Sequence, residues 1–130
     1  MSKYAQAAVE AVELVHQGIT DSPVKAWEMS TSKFFGAGSW GQRKGCPKNA
    51  FLGLCENGFI KGIPKGIYNM KENSKNKNYA IRAIELITQQ PELLEDIREL
   101  WNKVSNGNEI SHNHQMHIVI ALYNKNYIQS

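Results

Sequence analysis

Three stretches of this 130-residue chain place reactive or ligand-binding side chains close together. The first centres on Cys46, which follows Arg43 and Lys44 and precedes Pro47 and Lys48. Proline suits the first turn of a helix, and a helix start with three nearby cations favours the thiolate form of cysteine. Nucleophilic catalysis also needs a general base. The spacing of His16, His112, His114 and His117 nominates none of them. An inert thiol at a helix start accounts for Cys46 equally well, so Cys46 is a weak catalytic candidate; a protein without catalysis is favoured and an enzyme using the loop and Cys46 stays open. No cofactor is expected.

The second stretch is His112-Asn113-His114-Gln115-Met116-His117. On a helix, His114 and His117 share a face; on a strand, His112 and His114 do. Apart from Glu109, no carboxylate lies at a spacing that would complete a metal site. These histidines are weak metal candidates, and the expectation is a surface cluster at a helix start.

The third stretch, Gly36 to Gly45, holds Trp40, Arg43 and Lys44. Gly36-Ala37-Gly38-Ser39-Trp40-Gly41 matches the spacing of the dinucleotide fingerprint, but it follows a helical pattern and sits in no strand–helix–strand unit. What survives is a flexible loop whose cations feed a helix start, a site suited to phosphate.

Charge points the same way. Net charge is +3, yet residues 33 to 77 hold nine positive side chains against Glu56 and Glu72, leaving the rest of the chain acidic. Arg43, Lys44, Lys48, Lys61 and Lys65 are therefore the candidate nucleic-acid or anion-binding set. Solvated loop lysines would give the same count.

The elements that must position these groups read mostly as helix. Ser2 caps a helix over residues 3 to 17, whose polar residues Lys3, Gln6, Glu10, Glu13 and Gln17 draw one wet stripe. Ser22-Pro23 opens a second helix, with Val24, Trp27, Thr31 and Phe34 on its inner face. Cys46-Pro47 opens a third, ended by Asn57-Gly58. Phe59 to Met70 reads as two extended arms around a Pro64-Lys65-Gly66 turn, a small β-hairpin. A mobile polar connector is expected over Lys71 to Asn78. Two further helices follow, separated at Pro91, and Ser111 is placed to cap a last one reaching about Tyr123. The β-branched Ile118-Val119-Ile120 leaves a terminal strand open. The expected fold is mainly α: one compact domain over residues 1 to 130, with five or six helices and one hairpin.

No apolar run reaches the roughly 20 residues of a membrane helix, and the amphipathic start carrying Glu10 and Glu13 is unlike a signal peptide. Cys46 and Cys55, nine positions apart, would sit about 13 Å apart along a helix, beyond the roughly 7 Å reach of a disulfide. A cytoplasmic location and no membrane partner are expected.

The stretch Lys44-Gly45-Cys46-Pro47 through Asn49-Ala50-Phe51-Leu52-Gly53-Leu54-Cys55, then Gly58, Ile60 to Pro64, Gly66 and Tyr68, resembles a family of small uncharacterised bacterial proteins of the cytoplasm. The likeness continues through Tyr79-Ala80, Arg82-Ala83, Glu85-Leu86 and Trp101 and implies no activity. A local likeness is to winged-helix DNA-binding domains. Leu52, Leu54 and Gly58-Phe59-Ile60, followed by Ile63 to Tyr68, resemble the end of a recognition helix running into its wing. That resemblance implies DNA binding, with Lys61 and Lys65 beside phosphate. Two features depart from it: the loop before the helix is long, and the expected outer face (Lys48, Asn49, Gly53, Glu56) is poor in base-reading side chains. The expected function is nucleic-acid binding, most of all of DNA, through the basic middle. The alternatives are a protein-interaction module using the hairpin and Trp40, and a phosphate or small-molecule binder using the 36–46 loop.

Overall fold

A computed structural model describes residues 2–68, 75–106 and 114–129. Among them are seven α-helices: α1 (Lys3–His16), α2 (Pro23–Phe35), α3 (Trp40–Arg43), α4 (Gly45–Glu56), α5 (Lys75–Gln89), α6 (Ile97–Val104) and α7 (Gln115–Asn124). A short 3-10 helix, Pro91–Glu95, precedes α6. The mainly helical class agrees with the sequence. The count exceeds it by α3, because a single turn inside a glycine-rich loop leaves no periodic pattern to read. None of the helices among the described residues is long and apolar enough to cross a membrane.

Local signals set the first boundaries. The Ser2 hydroxyl accepts from the Ala5 amide at 3.1 Å, and Ser22 from Lys25 at 3.2 Å with Pro23 in the first turn. Small residues on α1 (Ala5, Ala7, Ala8, Ala11) are all buried, which lets α2 and α7 pack close to it.

The centre of the molecule is α4. Every residue from Ala50 to Cys55 is buried, and Phe51 stacks on Trp27 of α2 with ring centroids 5.0 Å apart. A helix covered on all sides is a core helix. Gly53 explains how α5 lies against it: a β-carbon at Gly53 would come within 2.6 Å of Lys77 Cβ and 2.9 Å of its Cα. Of the face expected to look outward, the part at Gly53 is thus covered, while Lys48 and Asn49 in the first turns stay half-exposed. Glu56 lies there too, paired with Lys77 at 2.8 Å, with only 11% and 22% of the two side chains exposed.

This overturns the winged-helix reading at its main element, since a helix sheathed by α5 has no face to lay in a DNA groove. Nor do the described residues form a wing. Residues 59–68 form no hairpin; they turn back on the end of α4, where Gly66 donates to the Glu56 carbonyl at 3.3 Å and Tyr68 to its carboxylate at 3.0 Å. The Tyr68 hydroxyl donates to the Pro64 carbonyl. The β-prone residues find a different partner: Ile60 makes an isolated antiparallel bridge to Ile128. Asn69 and Met70 lie outside the described residues.

Two other expectations shift. Lys75 to Asn78, expected in a mobile connector, form the first turn of α5; Lys71 to Ser74 lie outside the described residues. The open choice at Ile118-Val119-Ile120 resolves as helix. Burial of Met116, Ile118, Val119 and Leu122 on α7 outweighs the β preference of branched side chains. The helix starts at Gln115, after His114 at φ +70°, and Ser111 lies outside the described residues.

Candidate functional site: the corner between α2 and α4

The glycine-rich segment is a built corner. Gly36 and Gly38 take φ values of +92° and +72°, which side-chain-bearing residues rarely adopt, and reverse the chain after α2. Ser39 then caps α3 by accepting from Gln42 N at 3.2 Å, and Gln42 Oε1 accepts from Gly38 N at 3.1 Å. The Tyr4 hydroxyl of α1 donates to the Gly41 carbonyl at 2.8 Å. Gly41 also lies so close to Phe35 that an added β-carbon would meet its ring at 2.8 Å. Phe35 stacks on Tyr4 at 4.5 Å, so one tyrosine joins α1, the end of α2 and α3.

Trp40 stands on this corner 85% exposed. With Arg43, Lys44 and Gly45 it lines a cavity of about 210 Å³. Lys44 occupies the cap position of α4, and among the described residues no side chain caps that helix start. Pro47 has no N–H, so Gly45 and Cys46 carry the amides at that end. Lys48 lies in the same first turn. Among the described residues Arg43, Lys44 and Lys48 have no ion-pair partner, whereas Lys33 is paired with Glu10 at 2.7 Å and Lys77 with Glu56.

The five cations named from sequence therefore divide. Arg43, Lys44 and Lys48 gather at the start of α4. Lys61 and Lys65 follow its other end, about 18 Å away along a 12-residue helix. Lys61 is engaged there: its ammonium donates to Asn126 Oδ1 at 3.1 Å, and its carbonyl lies 2.6 Å from His16 Nε2.

His114 sits beside the corner, its ring 4.9 Å from Tyr4 and 5.5 Å from His117. Burial holds its pKa below the ordinary histidine value, and the neighbouring His117 and Lys44 charges add to this. Burial lowers His117 as well. Among the described residues no set of three side chains of metal-binding type comes together, and His112 lies outside them. Cys46 is half-buried and Cys55 fully buried, at the two ends of α4 and unbonded. Among the described residues no hydrogen bond joins the Cys46 thiol to a histidine or a carboxylate. The dinucleotide spacing at Gly36 follows a helix and precedes a four-residue turn, so it lacks the strand its chemistry requires.

Sequence reasoning missed Tyr4 and His114 as parts of this corner. Tyr4 carried a signal, a lone large residue among alanines on the apolar side of α1. His114 carried none, because its position depends on how α7 docks.

The chain belongs to DUF6979, a family of unknown function, whose sequence profile matches residues 1–129. Neither a curated protein nor a solved structure matches it.

Proposed function

We propose that this member of a family of unknown function is a non-enzymatic binding protein that holds nucleic acid by its phosphates at the α3–α4 corner. One observation carries the reading: Arg43 and Lys44 line one cavity on a pinned turn, with Lys48 in the first turn of the helix that follows, and none of the three has a carboxylate partner among the described residues. Helix-start amides and clustered cations are the groups that hold phosphate oxygens. The burial of α4 argues against groove insertion, so little sequence preference is expected. Lys61 and Lys65, at the far end of α4, would add a second and weaker contact. A reducing, cytoplasmic setting is part of the proposal, supported by two thiols at opposite ends of one helix.

The test is a titration of labelled oligonucleotide at low and at physiological salt. Reversing Arg43 and Lys44 to glutamate should abolish binding with little change in stability, because Arg43 is exposed, Lys44 half-exposed, and neither is ion-paired among the described residues. The pair Lys61→Glu and Lys65→Glu should weaken it less. No binding at low salt, or an unchanged affinity after the first double reversal, rejects the proposal. The exposure of Trp40 and of Ile67, at 85% and 90%, favours a second reading, a surface for a protein partner. Binding of a phosphate-free acidic polypeptide as tight as that of oligonucleotide would select it.

A further inference from the structure

Four large apolar side chains are exposed among the described residues: Ile19, Met29, Trp40 and Ile67. Trp40 alone stands next to two cations that have no carboxylate partner among those residues, and with them it walls a cavity. The turn beneath it is fixed on three sides by the Ser39 cap, the Gln42–Gly38 bond and the Tyr4–Gly41 bond. An aromatic ring carried on so constrained a turn contributes contact area at small entropic cost, because its backbone is already ordered.

We infer that Trp40 is a stacking platform for an unpaired nucleobase, and that the ligand of the corner is single-stranded nucleic acid. The inference rests on the phosphate-binding reading above and specifies its substrate. Trp40 is 85% exposed and its pocket of about 210 Å³ opens to solvent, so a planar base can reach the indole from outside. Arg43 and Lys44, in the same wall, are then placed to meet the phosphates flanking that base. In a duplex the base faces are already stacked on their neighbours and out of reach, and α4 has no free face to read their edges. Stacking on an aromatic side chain strengthens single-strand binding by roughly 5- to 150-fold per base and tolerates any sequence. Engagement of three cations should give a salt slope of about 2 on a single strand.

The experiment compares three probes on the full chain: labelled oligothymidylate, a duplex of equal length, and inorganic polyphosphate, which has charge without bases. Oligothymidylate should bind more tightly than either of the others and should quench tryptophan fluorescence. Trp27 is fully buried and Trp101 is packed edge-on against Tyr79 at 5.2 Å, so the quenching should disappear in Trp40→Ala. Trp40→Ala should also lose roughly 5- to 150-fold of the oligothymidylate affinity while leaving polyphosphate binding unchanged. Trp40→Phe should restore part of the loss. The inference falls if the duplex binds as tightly as the single strand, or if Trp40→Ala leaves the affinity for oligothymidylate unchanged. Polyphosphate and oligothymidylate binding equally, both lost in the Arg43 and Lys44 reversal, would overturn the stacking role and leave the phosphate site standing. Failure of all three probes to bind would remove both.

Discussion

Tyr4 and Gly41 are joined by a 2.8 Å hydrogen bond from the tyrosine hydroxyl to the glycine carbonyl, which ties the first helix of the fold to the turn that presents Trp40. Tyr4 is 7% exposed and the bond is partly buried. Tyr4→Phe keeps the stacking on Phe35 and removes only the donor. It should cost about 1 kcal/mol in urea unfolding, and under the reading of the corner proposed here it should also weaken ligand binding. Unchanged stability would mean that the bond contributes nothing to holding the corner.

Gly53 allows α4 and α5 to touch through their backbones. Gly53→Ala adds a β-carbon 2.6 Å from Lys77 Cβ and 2.9 Å from its Cα, a clash that rotation of the lysine side chain cannot relieve. The expected loss is about 1–3 kcal/mol by overpacking, although alanine favours helix over glycine by up to about 1 kcal/mol. A thermal melt decides the sign, and stabilisation would refute this account of the helix pair.

The two thiols differ in access. Cys46 is half-buried at the start of α4, while Cys55 is wholly buried, and burial pushes its pKa up. Brief alkylation of the native protein, read by mass spectrometry, should modify Cys46 on the order of ten times faster or more. Faster labelling of Cys55 would contradict the position of α4 in the core.

His114 and His117 make stability depend on pH. Burial lowers both below the ordinary 6.5, so the folded state binds fewer protons than the unfolded chain just below that value. Their contribution is complete above about pH 6.5 and is lost as pH falls through the lowered values. Urea midpoints should fall between pH 7.5 and pH 5, and replacing both histidines with glutamine should flatten that dependence. A double variant as pH-sensitive as the parent would assign the effect elsewhere.

The sequence made the caps and the first helices legible because their signals are local: Ser2, Ser22-Pro23, and the polar stripe of α1 each act within a turn or two. Failures came where distant parts decide. The residues after Gly58 have the composition of a hairpin, yet Ile60 pairs with Ile128 instead of a neighbouring arm. Gly53 looked like part of a solvent face until α5 lay over it. Of the site, the cations and Trp40 were visible as residue types. Their division into two groups was not, since it follows from the length of α4 between them.

The Ile60–Ile128 bridge also bears on the order in which the molecule assembles. Around it Lys61 N donates to the Tyr127 carbonyl and Gln129 N to the Phe59 carbonyl, both at 2.8 Å, while the Tyr127 hydroxyl reaches Glu13 at the same distance. Helices α1 and α2, and likewise α5 and α6, are short-range partners whose meeting closes only small loops. The bridge joins segments more than half the chain apart, and closing so long a loop costs more entropy before any contact repays it. It should therefore form after the α1–α2 and α5–α6 pairs have met and open before those pairs part. The amides of Lys61 and Gln129 would then exchange with solvent through a local opening, well ahead of those of Phe51 and Leu52, which are released only when the whole molecule unfolds.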